Sequence, residues 1–170
     1  MELLKFEFIF SNLEIDAKPD LSASTFLWIW KPLEIAPHAG LSISGEYFSL
    51  TATGKELHID TTKLLALVNK KSTPLLLIEM RTEITKKDVL RIFDSYECAS
   101  QLNSSCIQPI SQLLDCPSGK LAELLYQLEG RELLGKTYAL NIEESTIGIL
   151  YYDVIAIEKK LISLQHAKRR

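Results

Sequence analysis

The stretch that decides the fold is His38-Ala39-Gly40-Leu41-Ser42-Ile43-Ser44-Gly45-Glu46-Tyr47-Phe48-Ser49-Leu50-Thr51. Two alternating runs flank Ser44-Gly45, which is how a two-residue hairpin turn reads in sequence. The implied register sets Ile43 opposite Glu46, Leu41 opposite Phe48, Ala39 opposite Leu50 and His38 opposite Thr51. Successive side chains of a strand point to opposite faces. Ala39, Leu41, Ile43, Phe48 and Leu50 therefore share an apolar face. His38, Gly40, Ser42, Tyr47, Ser49 and Thr51 share a small, polar one. Gly40 and Ser42 leave room there for another element to approach.

Working outward, residues 4–10 and 22–30 read as strands, the second ending in Phe26-Leu27-Trp28-Ile29-Trp30. Pro32 and Pro37 bracket a loop. Residues 56–59 extend the sheet. Asp60 is placed to cap a helix reaching residue 70, with Leu64, Leu65, Leu67 and Val68 inward. Residues 74–80 form a central strand. Thr85 caps a helix to residue 95, with Val89, Leu90, Ile92 and Phe93 inward. Ser104 or Ser105 caps a helix over 106–114, with Pro109 in its first turn, where proline is tolerated. Ser118 caps another through 128, closed by Gly130, with Leu121, Leu124, Leu125 and Leu128 as an apolar stripe. Strands over 136–142 and 146–154 and a helix from 156 complete the chain. This order predicts an α+β fold, an antiparallel sheet packed against helices, in a single domain over residues 1–170.

The composition suits such a domain. Of 170 residues, 46% are hydrophobic and 24% charged, enough apolar surface to exclude global disorder. No apolar run approaches the ~18 residues of a membrane span. No basic segment precedes the first apolar residues, so no secretory signal is expected. The net charge is −3, and the one basic cluster, Lys168-Arg169-Arg170, reads as a solvated end, so nucleic acid is not an expected partner. The odd cysteine set Cys98, Cys106 and Cys116 implies a reducing compartment such as the cytoplasm. His38, His58 and His166 are scattered without metal-ligand spacing, and no glycine-rich phosphate loop exists. No metal and no cofactor are expected.

Cys106 is the candidate nucleophile. At a helix start, backbone N–H groups favour a thiolate and can hold a developing oxyanion. Cys98 and Cys116 follow helix C-terminal ends, where the dipole disfavours the anion. His38, on the roomy polar face, is the candidate general base. Thr51, across from it, is the candidate for fixing the ring, with His58 and Asp60 as alternatives. Trp28 and Trp30 read as sheet-face packing.

The segment Pro37-His38-Ala39-Gly40-Leu41-Ser42-Ile43, followed by Tyr47-Phe48-Ser49-Leu50, resembles the histidine strand of circularly permuted papain-like cysteine hydrolases. These include murein amidase relatives and lecithin:retinol acyltransferase-like proteins. Asn103-Ser104-Ser105-Cys106, leading to Leu113-Leu114, is similar to their later nucleophile segment. Two serines separate Asn103 from Cys106, and no acid or second histidine stands on the second strand where the family carries one. The resemblance covers about residues 24–115, leaving 116–170 as a C-terminal extension. It implies a permuted papain-like fold and a thiol hydrolase or acyltransferase acting on an amide or ester bond. Cys106 would attack, His38 would shuttle the proton, and a peptide, protein, murein peptide or lipid ester would be the substrate. The missing orienting acid favours an alternative, a non-catalytic module that binds a protein partner on the same fold. A third reading makes the leucine stripe after Ser118 an oligomer seam.

Overall fold

The computed structural model describes residues 4–15, 17–100 and 105–167. In order, the chain forms β1 (Phe6–Ile9), β2 (Leu13–Ile15), β3 (Thr25–Trp30), β4 (His38–Ile43), β5 (Glu46–Thr51) and β6 (Gly54–Asp60). It continues through α1 (Thr61–Lys70), β7 (Leu75–Met80), α2 (Lys86–Asp94), α3 (Gln108–Leu113) and α4 (Leu121–Gly130). Finally come β8 (Leu134–Leu140), β9 (Gly148–Leu150) and α5 (Val154–Ala167).

The central hairpin forms as its sequence dictates. Ser44 and Gly45 have φ of 52° and 78°, the left-handed pair of a type I′ turn. Ile43 pairs with Glu46, Leu41 with Phe48 and Gly40 with Ser49. Around it a seven-stranded sheet runs β2-β8-β7-β3-β4-β5-β6, and β1 pairs with β9 in a separate two-stranded sheet. The large sheet is antiparallel except where β2 runs parallel to β8. With the helices packed on it, the fold is α+β. The last third of the chain belongs to the same sheet, since β8 pairs with both β7 and β2.

Both faces of the sheet are covered. Leu27, Ile29, Ala39, Leu41, Phe48, Leu76 and Ile78 pack with residues of α2, α3 and α4. The opposite face, with Phe26, Trp28, Tyr47, Leu75 and Leu77, meets Val68 of α1. The hairpin's small polar face is therefore interior: Ser42 and Ser49 are fully buried. The room beside Gly40 and Ser42 is filled from within the sheet. The Trp28 indole donates to Ser42 Oγ at 2.8 Å, and the Tyr47 ring lies over Gly40. Polar side chains tolerate such burial when hydrogen-bonded.

Two helix starts follow the sequence. Asp60 accepts from the N–H groups of Thr62 and Lys63 and caps α1. Thr85 and Asp88 form a reciprocal capping box on α2. Two others differ. α4 begins at Leu121 without a side-chain cap: its N-cap position is Lys120, and Ser118, two residues earlier, donates its hydroxyl to the Cys116 carbonyl at 2.8 Å. α3 also lacks a side-chain cap and starts only at Gln108, with Pro109 in its first turn. Cys106 thus lies in the turn before a six-residue helix rather than inside it. The proposed caps and motif residues Asn103 and Ser104, and the basic cluster Lys168-Arg169-Arg170, lie outside the described residues. Leu67, expected inward, is half exposed; Val68 takes the buried position on α1. The strand expected over 146–154 is cut to Gly148–Leu150, where it pairs with the short β1, and α5 begins at Val154.

Candidate active site

A cavity of about 400 Å³ opens at the end of the sheet where β4 begins and β5 ends. His38, Thr51, Ser105 and Cys106 line it, with Trp30, Leu50, Leu121 and Tyr152 among the apolar walls. α5 supplies a further side through Ile157, Lys160, Leu161 and Leu164, the spacing of one helix face. The two principal candidates from sequence, Cys106 and His38, therefore meet at one cavity from elements far apart in the chain.

The route of each differs from simple expectation. His38 is delivered by a tight turn, with Ala36 held at φ 53° and Pro37 buried behind it. The Cys106 sulfur faces the backbone N–H of Ala39, the residue after His38, together with its own N–H and that of Ile107. Cys106 also packs against the main core cluster that contains Ala39. The cavity it shares with His38 also takes Trp30 and Tyr47 from the sheet face that bears Gly40 and Ser42.

Electrostatics leave both groups uncharged near neutral pH. Burial, with the positive charge of Lys160 nearby, pushes the His38 imidazole down to about 4. Burial pushes the Cys106 thiol up, partly opposed by the Ala39 N–H, Lys160 and the thiol's own turn. The resting pair is a thiol and a neutral imidazole rather than an ion pair. Among the described residues no hydrogen bond joins the two.

Thr51 lies on the wall, and its hydroxyl donates to the Gly54 carbonyl at 2.9 Å. With the proton so committed, only its lone pairs remain to meet the imidazole, and no hydrogen bond between the two side chains is present among the described residues. The alternative orienting groups are occupied elsewhere. His58 sits 3.0 Å from Glu46 Oε2, and Asp60 caps α1. Trp28 is fully buried core, whereas Trp30 is cavity wall and donates to the Tyr47 hydroxyl at 2.9 Å. Cys116 is sealed in the core, with an Arg131 guanidinium nitrogen 2.9 Å from its sulfur.

Several wall residues escaped the sequence reading. Lys160 Nζ donates to the carbonyls of Ala36 at 2.7 Å and Ile35 at 3.3 Å, and lies 3.6 Å from Glu34. Lys120 is paired with Glu7 at 2.7 Å. Burial raises the Tyr152 phenol to about 12, and its oxygen accepts from the Leu121 N–H. Glu56 accepts from Ser49 at 3.1 Å. The apolar spacing of Ile157, Leu161 and Leu164 was visible in sequence, but nothing local tells which surface that face covers.

Among the described residues, no cluster of His, Cys, Asp and Glu could hold a metal ion, and no helix is long and apolar enough to cross a membrane. No family model, curated protein or solved structure matches this chain.

Proposed function

We propose that this protein is a thiol hydrolase or acyltransferase that cleaves an ester or amide bond, taking an apolar acyl group into the cavity. The observation that carries this reading is the convergence of Cys106 and His38 on one largely apolar cavity. Such cavities, concave and apolar with a few polar groups, are the usual form of small-molecule sites.

The chemistry suited to a neutral pair is general-base catalysis. The Cys106 sulfur attacks the acyl carbonyl carbon as its proton passes to the free nitrogen lone pair of His38. The carbonyl oxygen takes the negative charge, and the N–H groups around the sulfur are candidate donors to it. Collapse breaks the bond to the leaving alcohol or amine, which takes the proton back from His38. A thioester on Cys106 remains. Water or a second nucleophile then attacks it, giving up a proton through His38 and releasing the thiol.

The test is acylation by p-nitrophenyl octanoate, followed by nitrophenolate release and by mass of the intact protein. An octanoyl adduct on Cys106 that disappears in C106A and forms at least about a hundredfold more slowly in H38A supports the reading. Neither adduct nor Cys106-dependent nitrophenolate release, or equal rates in wild type and H38A, overturns it.

A second reading draws on the absence, among the described residues, of a hydrogen bond between thiol and imidazole: the cavity receives an apolar segment of a protein partner without turnover. Under it C106A retains the partner and no acyl adduct forms on the wild-type chain.

A further inference from the structure

The turn 34–36 carries an unexplained cost. Ala36 adopts a left-handed backbone, which is unfavourable for a residue with a side chain and persists only where the surroundings hold it. Its carbonyl oxygen and that of Ile35 both accept from the same ammonium, Lys160 Nζ. Pro37 and His38 follow immediately. Lys160 comes from α5, more than a hundred residues away, with Ile157, Leu161 and Leu164 beside it on the cavity wall.

We propose that Lys160 is the positioning residue of the Cys106–His38 site, an inference that rests on the acyl-transfer reading: its ammonium pins the turn that delivers His38 and seats α5 on the cavity. A second polar contact of α5, Gln165 to the Ala52 carbonyl at 3.3 Å, lies a turn further along. The cation also acts on the imidazole. Its nearest carboxylate, Glu34, is 3.6 Å away and half exposed, so the charge is only loosely neutralised. Lys120, the other wall lysine, is paired closely with Glu7. The remaining titratable groups on the wall are Tyr47, Glu56, Tyr152 and Cys106. Both tyrosines stay protonated through the neutral range. A positive charge disfavours the imidazolium, which keeps His38 a proton acceptor.

Three variants separate pinning from charge. K160M removes both, K160Q keeps a donor for the carbonyls, and K160R keeps the charge. The readouts are the NMR titration of the His38 ring and the pH profile of Cys106 acylation by p-nitrophenyl octanoate. In K160Q and K160M the His38 titration shifts upward toward its ordinary value of about 6.5. The acid limb of acylation moves with it, while K160R titrates like the wild type. Hydrogen exchange at the amides of Ile35, Ala36 and His38 accelerates in K160M and not in K160Q. Should K160M fail to fold, K160Q still reads the charge. An unshifted titration and acid limb in K160Q, with acylation intact, overturns the role of Lys160 alone. A wild-type protein that neither forms an adduct nor releases nitrophenolate through Cys106 overturns the acyl-transfer reading, and this role with it.

Discussion

Gly40 on β4 lies beneath the ring of Tyr47 on β5, and a Cβ at position 40 would collide with the phenol and its hydroxyl. The two are diagonal neighbours on one face of the hairpin, since Ser42 pairs with Tyr47 and Gly40 with Ser49. Tyr47 cannot easily give way: it is almost fully buried and accepts the Trp30 indole N–H. Glycine at this strand position is a packing requirement.

Gly40→Ala is therefore expected to destabilise the protein by about 1–3 kcal/mol through overpacking. Urea unfolding of G40A, Y47L and the double variant measures it. The double variant should be more stable than the sum of the singles predicts, because replacing the Tyr47 ring by the shorter leucine side chain vacates the space the new methyl needs. Strict additivity would sink this account.

His38 makes stability depend on pH. Its folded pKa of about 4 lies below the unfolded value of about 6.5, so the unfolded chain binds more protons between them. Stability contributed by the neutral imidazole is whole above pH ~6.5 and is lost as pH falls toward 4. The loss is of order 1–3 kcal/mol. Unfolding free energies at several pH values in this window, for wild type and His38→Gln, should converge at low pH relative to their separation at pH 7.5. A constant separation would count against a buried, neutral His38.

The raised Cys106 thiol changes what its reactivity should look like. A thiolate at a helix start implies rapid alkylation near neutral pH; burial in a turn ahead of α3 implies slow alkylation that accelerates into the alkaline range. Cys116, with no exposed surface, is expected to react only when the chain unfolds. Peptide mapping after iodoacetamide treatment at pH 7 and at alkaline pH distinguishes the cases. Fast neutral-pH labelling of Cys106 would mean that its thiol is not raised.

Capping residues offer a control, since α2 lines none of the cavity and α1 only through Leu64. Thr85→Ala breaks the reciprocal box on α2, and Asp60→Ala frees two N–H groups of α1. Each should cost about 1 kcal/mol in urea unfolding and leave Cys106 alkylation unchanged. A change in alkylation would show that the caps of α1 and α2, and not only α4 and α5, shape the cavity around Cys106.

What the residues determined alone was local. The hairpin register, the I′ turn at Ser44-Gly45, the Asp60 and Thr85 caps and the buried stripe of α4 all follow from neighbours a few positions apart, where strand and helix periodicity act. The tertiary structure decided which surfaces meet. Alternation marked one hairpin face as polar, yet α1 covers it, with Trp28 and Tyr47 taking the space that small residues left. The same long-range packing brought Lys160 of α5 to the turn ahead of His38 and set Cys106 against the N–H of Ala39. Such contacts join segments more than sixty residues apart and depend on burial, charge and cavity shape in three dimensions, none of which a one-dimensional pattern encodes.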